Sequence, residues 1–569
     1  MSFAVAHASF AQDLQAVVLA GGPGSRMHPF SSGTPKCMLP VVNRPLLFYS
    51  LFQLERAGFD AVLLVTCPSA LDRVSTYVHE LYPADAAVRA HRTAHAGSRG
   101  LAVALRALPD GLDTAEVLCH LRDDIVSTDV VVLSGDIVGE WMLPAAADAH
   151  RALDASLTMV VGAATTATAT NGHRGTQGKK DKKAAAAAAN HSNESWNDLQ
   201  TFIGVDRDTG RLLYTQSAAD VADAGGQLRV PREVLQHVRA LSVRRDLRDL
   251  HVYFLKRWVL DWLQHHPQLG SIRSELVPYL VRHQFALGRR AAAAWEEAQQ
   301  VPGDDEQRGA DVEPVADGAG EPESPATYRR RRRRRPEAPL LPPVPPYAAY
   351  SRALFPGGPM APDDRIRCYA YSALPPHAPS LLRVNTMETY VQANRQVASG
   401  VLMPSLQRHL HPYNMNEYDQ GTGAATDRAA AAAETDSAAP SSSTDGPEQA
   451  LHMGERTFVA RDSVLAPGSI TLGRECQVRG GTIIGRHTVI GDRCKLTACI
   501  VMDHVKIGDR CVLQHCVIGS HAEVLEQCDL RHCQIGPHAQ VVAHTTASEE
   551  VFSQFEASLA AMARVSLEE

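Results

Sequence analysis

The sequence predicts an α/β domain built on a parallel sheet, followed by a β-solenoid. Two short apolar runs, "LQAVVLA" at 14–20 and "AVLLVT" at 61–66, flank a segment of helical spacing, "LLFYSLFQLERAGF" at 46–59. Strand, helix and strand in that order imply a parallel pair, because a crossover helix is the usual way to start a second strand from the same end of a sheet. A further run, "DVVVLSGD" at 129–136, ends on a carboxylate, at the end of a strand where such sheets bind ligands. The C-terminal region changes period. Its apolar residues fall in three columns: Leu496, Leu513, Leu530; Leu472, Ile490, Ile507, Val524, Val541; and Ile484, Val501, Ile518, Ile535. Successive members are 17 residues apart, with one step of 18. Ile-Gly or Leu-Gly pairs at 472, 484, 490, 507, 518 and 535 divide each repeat into hexapeptides, the mark of a coil with three short strands. The span 459–542 accommodates roughly five coils.

A chain of 569 residues is too long for one core, and roughly 100 to 200 residues per domain suggests two to four. The balance of 56 Lys+Arg against 63 Asp+Glu gives a net charge of -7, so bulk attraction to nucleic acid or anionic lipid is not implied and any basic partner site must be local. The N-terminus lacks a basic region before an apolar core, and no apolar run approaches the ~18 residues that span a bilayer. No membrane association is expected, and the cytosol is the expected location.

Three segments are too poor in large apolar residues to build a core, and are expected as inserts or linkers. They are 163–197, with its "GKKDKKAAAAAANHSNES" stretch; 291–347, acidic and then seven consecutive arginines at 329–335; and the Ala/Ser/Thr/Gly-rich 416–455. The expected organisation is a sheet domain over 1–415 carrying the first two segments, a linker at 416–455, the solenoid at 456–553 and a tail at 554–569. The arginine run would attract phosphates, but among acidic neighbours it reads as a solvated tail, and no nucleic-acid partner is expected.

Eleven cysteines without a C-x-x-C pair are not a disulfide framework. Seven lie after residue 470, and they keep the solenoid's period: Cys494, Cys511, Cys528 and Cys499, Cys516, Cys533. Such columns suit a metal or redox stack, or the small buried residue that narrow corners need; the second is the expectation. His487, His504, His515, His521, His532 and His538 read as irregularly spaced, exposed side chains rather than ligands.

The stretch "LAGGPGSRMHPFSSGTPKCMLPVVNRP" at 19–45 follows the first strand directly. Gly21, Gly22 and Gly24 let the backbone approach a phosphate and offer its N–H groups, and Arg26 and Lys36 add positive charge. This ordered run resembles the signature of the sugar-nucleotide pyrophosphorylases, with Ser25, Phe30 and Cys37 as departures from it. The resemblance implies a Rossmann-like nucleotidyltransferase domain and a left-handed parallel β-helix. It also implies a reaction in which a sugar phosphate attacks a nucleoside triphosphate, with Mg²⁺ held between two carboxylates. Asp136 matches the first carboxylate. The second falls on Arg383 when "LLRVNTMETYVQAN" at 381–394 is aligned on Tyr390 and Asn394. An arginine there would repel the cation. The family's sugar-phosphate lysine should follow "FIGVDRDTGRLL" at 202–213, but "YTQSAADV" comes next. The loop keeps its shape, while the positions that would use it are degenerate, so no bound metal, cofactor or catalysis is expected.

A pyrophosphorylase-like domain with a degenerate site, joined to a left-handed β-helix, is similar to two subunits of the guanine-nucleotide exchange factor for eukaryotic translation initiation factor 2. The gamma subunit is the nearer match, through "HVYFLKRWVLDWL" at 251–263, "SIRSELVPYLVRHQF" at 271–285, "RIRCYAYS" at 365–372 and "YVQANRQV" at 390–397. The resemblance covers roughly 14–162, 198–290, 362–415 and 456–553. It implies an epsilon-type catalytic partner, the alpha, beta and delta subunits of the same complex, and the initiation factor as its client. An active pyrophosphorylase of GDP-mannose type and a bifunctional uridylyltransferase and acyltransferase are the rival enzymes; the latter have longer solenoids.

Overall fold

The computed structural model describes residues 14–95, 100–163, 201–230, 232–237, 240–284, 366–372, 381–410 and 451–554. It divides into two units, Met1–Arg282 with Arg367–Glu569, and His283–Ile366; the account below concerns the first. The expected segments at 163–197, apart from its first residue, and 291–347, the arginine run at 329–335, most of the linker and nearly all of the tail lie outside the described residues.

Seven strands form the main sheet: β1 Leu14–Leu19, β2 Ala61–Thr66, β3 Ala102–Ala107, β4 Asp129–Ser134, β5 Leu157–Ala163, β6 Leu247–Lys256 and β7 Cys368–Ser372. Their order is β7-β5-β6-β4-β1-β2-β3. The predicted strand–helix–strand unit is β1, helix α1 (Leu46–Arg56) and β2, with β1 parallel to β2 on one side and to β4 on the other. β6 departs from the purely parallel expectation: it runs antiparallel to both β4 and β5. Its apolar run identifies a buried strand but carries no direction, because a strand covered on both faces shows no alternation. The core is continuous from β1 and α1, whose Phe48, Tyr49 and Leu51 have no exposed surface, to helix α2 (Met387–Ala398), where Tyr390 and Asn394 are also fully buried.

The C-terminal region forms three six-stranded parallel sheets, the architecture of a left-handed β-helix. There are six rungs rather than about five, since Leu451–Met453 pairs with Ile470–Leu472 and Val551–Phe552 closes the last rung. The first rung therefore starts inside the stretch expected as linker, because Leu451 and Met453 pack against the solenoid interior. The columns are inward stacks, as Leu496↔Leu513↔Leu530 shows on one sheet. The Gly of each Ile-Gly pair is there for space rather than for dihedral freedom. A Cβ on Gly485 would lie 2.5 Å from the Met502 carbonyl carbon, and one on Gly508 would lie 2.9 Å from that of Leu525. Adjacent coils leave no room for a methyl group there.

The cysteine columns are buried free thiols. Several donate to a carbonyl of the following coil, as in Cys494 Sγ to Gly508 O at 3.0 Å and Cys511 Sγ to Leu525 O at 3.1 Å. They fill narrow corners, as expected. The histidine reading needs correction. His487, His504, His521 and His538 step by 17 residues and stack ring on ring, with His515 and His532 paired at another corner. Two interleaved columns look irregular in one list. All six are exposed, and all have positive φ, a conformation in which His is enriched among non-glycine residues.

One outer face of the solenoid is apolar. Val464, Ile483, Ile500 and Val517 point away from the helix interior and are buried in the same core cluster as Val41, Val42 and Tyr390. Asn43 Nδ2 donates to Ile484 O at 3.3 Å, and Arg395 Nη2 lies 3.0 Å from His515 Nδ1. The sheet domain thus docks on that face, with α2 at the join.

Candidate functional site

The site lies at the carboxyl ends of β1 and β4. The Ala20 N–H donates to Val65 O at 2.8 Å, after which the chain leaves the sheet through Gly21 and Gly22, both exposed. Gly24 has φ 69°, and a Cβ there would sit 2.9 Å from Lys36 Cβ, so the turn and the lysine are mutually fitted. Two short 3-10 turns, Ser25–Met27 and Lys36–Met38, are anchored by buried Met27, Phe30, Cys37 and Leu39. That anchoring holds Lys36 over the sheet. Arg26 stays exposed, with no carboxylate at salt-bridge distance among the described residues.

Asp136 follows β4 and is 4% exposed. Lys36 Nζ donates to its Oδ2. Arg383 reaches it from the far end of the domain: the short strand Leu382–Arg383 pairs antiparallel with Ile137–Val138, and Val384 N–H donates to Asp136 O at 2.8 Å. That register sets Arg383 Nε 3.3 Å from both carboxylate oxygens. Burial alone would raise the Asp136 pKa; Arg383 first, then Lys36, outweigh it and hold the carboxyl far below its usual range. Lys36 is pulled down by burial, with Arg383 and Arg26 adding to that, against the attraction of Asp136.

The sequence singles out Lys36 for a phosphate and Asp136 and Arg383 for the metal position; the structure joins the three by ion pairs that the sequence did not announce, and it adds His251, which sequence reasoning missed. This residue sits in a register shift of β6 with φ 55°. Its N–H donates to Asp249 Oδ1 at 2.8 Å, and Asp249 also accepts from the Tyr253 hydroxyl. Desolvation, then Arg383 and Arg273, hold its imidazole neutral. The signal was an Asp-x-His inside an apolar strand, where polar residues have to earn their place with partners. No lysine follows Leu213: the strand Leu212–Ser217 runs into a helix, Ala218–Asp223, capped by Ser217. The sheet domain's other described lysine, Lys256, lies opposite Asp129 at the other end of β4 and bonds Asp154.

A magnesium ion needs several oxygen ligands in octahedral geometry. Here the carboxylate that would supply them is already paired with two cations, and among the described residues no group of three His, Cys, Asp or Glu side chains could hold a metal. The residues do not fit the ion. Asp136 with Lys36 and Arg383 forms a cluster of net charge +1, suited to tying three chain segments together and to attracting anions rather than cations.

Fold and site together define a nucleotidyltransferase-type sheet domain on a β-helix. Residues 15–171 match the nucleotidyl transferase family model, and residues 460–554 match the GMPPB C-terminal domain. The chain is similar to translation initiation factor eIF2B subunit gamma. Identity is 28% over 278 residues with that of Schizosaccharomyces pombe, covering 48% of this chain and 52% of the relative. It is 25% over 292 residues with that of Dictyostelium discoideum, covering 49% and 59%. The chain thus spans a little over half the length of these relatives. A glucose-1-phosphate thymidylyltransferase of Mycolicibacterium smegmatis is 41% identical over 56 residues, 10% of this chain and 19% of the enzyme. No helix among the described residues is long and apolar enough to cross a membrane.

Proposed function

We propose that this chain is a non-catalytic, gamma-type subunit of the guanine-nucleotide exchange complex for translation initiation factor 2. In this reading it works in the cytosol, pairs with the catalytic epsilon-type subunit, and joins the alpha, beta and delta subunits to support GDP/GTP exchange. The observation that carries the reading is the position of Arg383. A guanidinium on the carboxylate that should bind Mg²⁺ removes the charge arrangement on which phosphoryl chemistry of this type depends. Similarity to two eIF2B gamma subunits supports the assignment. A role in assembly is compatible with the solenoid's other outer faces, which present mixed, partly or fully exposed side chains such as Thr471, Lys506, Glu523, Lys495 and Asp529.

A second reading, an active sugar-nucleotide pyrophosphorylase of GDP-mannose type, draws on the intact glycine loop with Arg26 and Lys36, and on the match to a thymidylyltransferase. It requires a metal carboxylate and a substrate lysine that the described site lacks. Reconstituting the exchange complex with and without this chain, and following GDP release from the initiation factor, separates the two. Slower release on omission is expected. Unchanged release would overturn the proposal.

A further inference from the structure

His487, His504, His521 and His538 stand at one corner of four successive coils, with ring centroids 4.8, 4.7 and 4.9 Å apart and interplanar angles of 20°, 4° and 1°. The corner's own backbone fixes that spacing, since three of the four histidine N–H groups donate to the residue 18 positions earlier: His504 to Arg486 O at 2.8 Å, His521 to Asp503 O at 3.1 Å and His538 to Ser520 O at 3.1 Å. The left-handed φ of all four points the rings out of the coil in the same direction. Four imidazoles are therefore held parallel, exposed and one coil spacing apart.

We propose that this column is a proton-responsive ridge, whose neutral rings stack and whose protonated rings repel one another, so that mild acid turns a stacked strip into a separated row of cations. Coulomb repulsion between unit charges ~4.8 Å apart exceeds thermal energy even at the dielectric constant of water, so each proton bound disfavours the next. Two charged residues of the same corner modulate it. Asp503 favours protonation of His521, but burial, then His504 and His538, outweigh it and lower the pKa. Arg486, next to His487 in the chain, donates its backbone N–H to Asp503 Oδ1 at 2.7 Å and so orients that carboxylate. From the sheet domain, Tyr77 lies within electrostatic reach of Arg486 and Tyr390 within reach of Asp503; both phenols are buried, which raises their pKa and keeps them neutral.

The test is a proton NMR titration of the full chain, with ¹³C-labelled histidine, from pH 8 to 5. The four column resonances are assigned by single His→Asn variants, since Asn tolerates the left-handed conformation. His521 is expected to titrate with a Hill coefficient below unity, and the contacts between adjacent rings should weaken as it does so. In the double variant His504→Asn with His538→Asn, His521 should move to higher pKa and a Hill coefficient of unity. An unaltered thermal midpoint at pH 8 shows that the variant is folded. A His521 titration that the double variant leaves unchanged would overturn the proposal, as would ring contacts that persist in acid.

Discussion

At Asp136, one carboxylate has been given to two cations, and the consequence can be worked out charge by charge. Replacing Arg383→Asp removes a half-buried partner and sets a second carboxylate facing the first, which should cost about 3 kcal/mol of stability in metal-free buffer. The same change supplies the missing oxygen ligands, so millimolar Mg²⁺ should raise the thermal midpoint of the variant and leave that of the unaltered chain where it is. Calorimetry with and without Mg²⁺ checks both arms. A second titratable residue makes acid sensitivity predictable. His150 is 1% exposed, its Nδ1 lies 2.8 Å from Thr158 Oγ1, and burial, then Lys256 and Arg151, push its pKa down to about 3. The unfolded chain binds this proton below its ordinary pKa of 6.5, and the folded chain does not. Its contribution is therefore complete above pH 6.5 and is lost as pH falls through the window to about 3, at about 1.4 kcal/mol per pH unit. His150→Phe should flatten the fall of the urea midpoint between pH 6.5 and 5; an unchanged slope would place the acid-sensitive group elsewhere, with His251 next in line.

Among the elements, the solenoid is the part most sensitive to added volume. Gly485→Ala would press a methyl group into the Met502 carbonyl of the next coil, and overpacking of that kind costs about 1–3 kcal/mol. Gly22→Ala, where nothing lies within 4 Å, should stay within about 0.5 kcal/mol. Urea denaturation of the two variants checks the contrast, and equal losses would contradict the packing account. The same contrast explains what could be read in the chain beforehand. Each coil must bury one residue from each sheet, so Leu496, Leu513 and Leu530 recur with the coil and reveal it. The loop at 19–45 was legible because an ordered run of glycines and cations is a rare pattern. Other features left no such trace. The direction of β6 is set by its neighbours, not by its own residues, and the outward Val464, Ile483, Ile500 and Val517 look like part of the coil until the sheet domain is seen lying on them. The imidazole column was in plain view as a 17-residue step, but the pair His515 and His532 at another corner interrupted the count.

For the molecule as a whole, the Asp136 cluster is a fastening point. Lys36 comes from the glycine loop, Asp136 from the end of β4, and Arg383 from the strand that leads into α2, which in turn meets the solenoid through Arg395 and His515. A chain of ion pairs and packed residues thus runs from the loop to the docked face of the solenoid. The most direct test is pyrophosphorolysis: the full chain is incubated with Mg²⁺, pyrophosphate and a panel of nucleotide sugars, and nucleoside triphosphate formation is followed. No product above the heat-denatured control is expected. Turnover that Asp136→Asn abolishes would contradict the proposal that this site is non-catalytic.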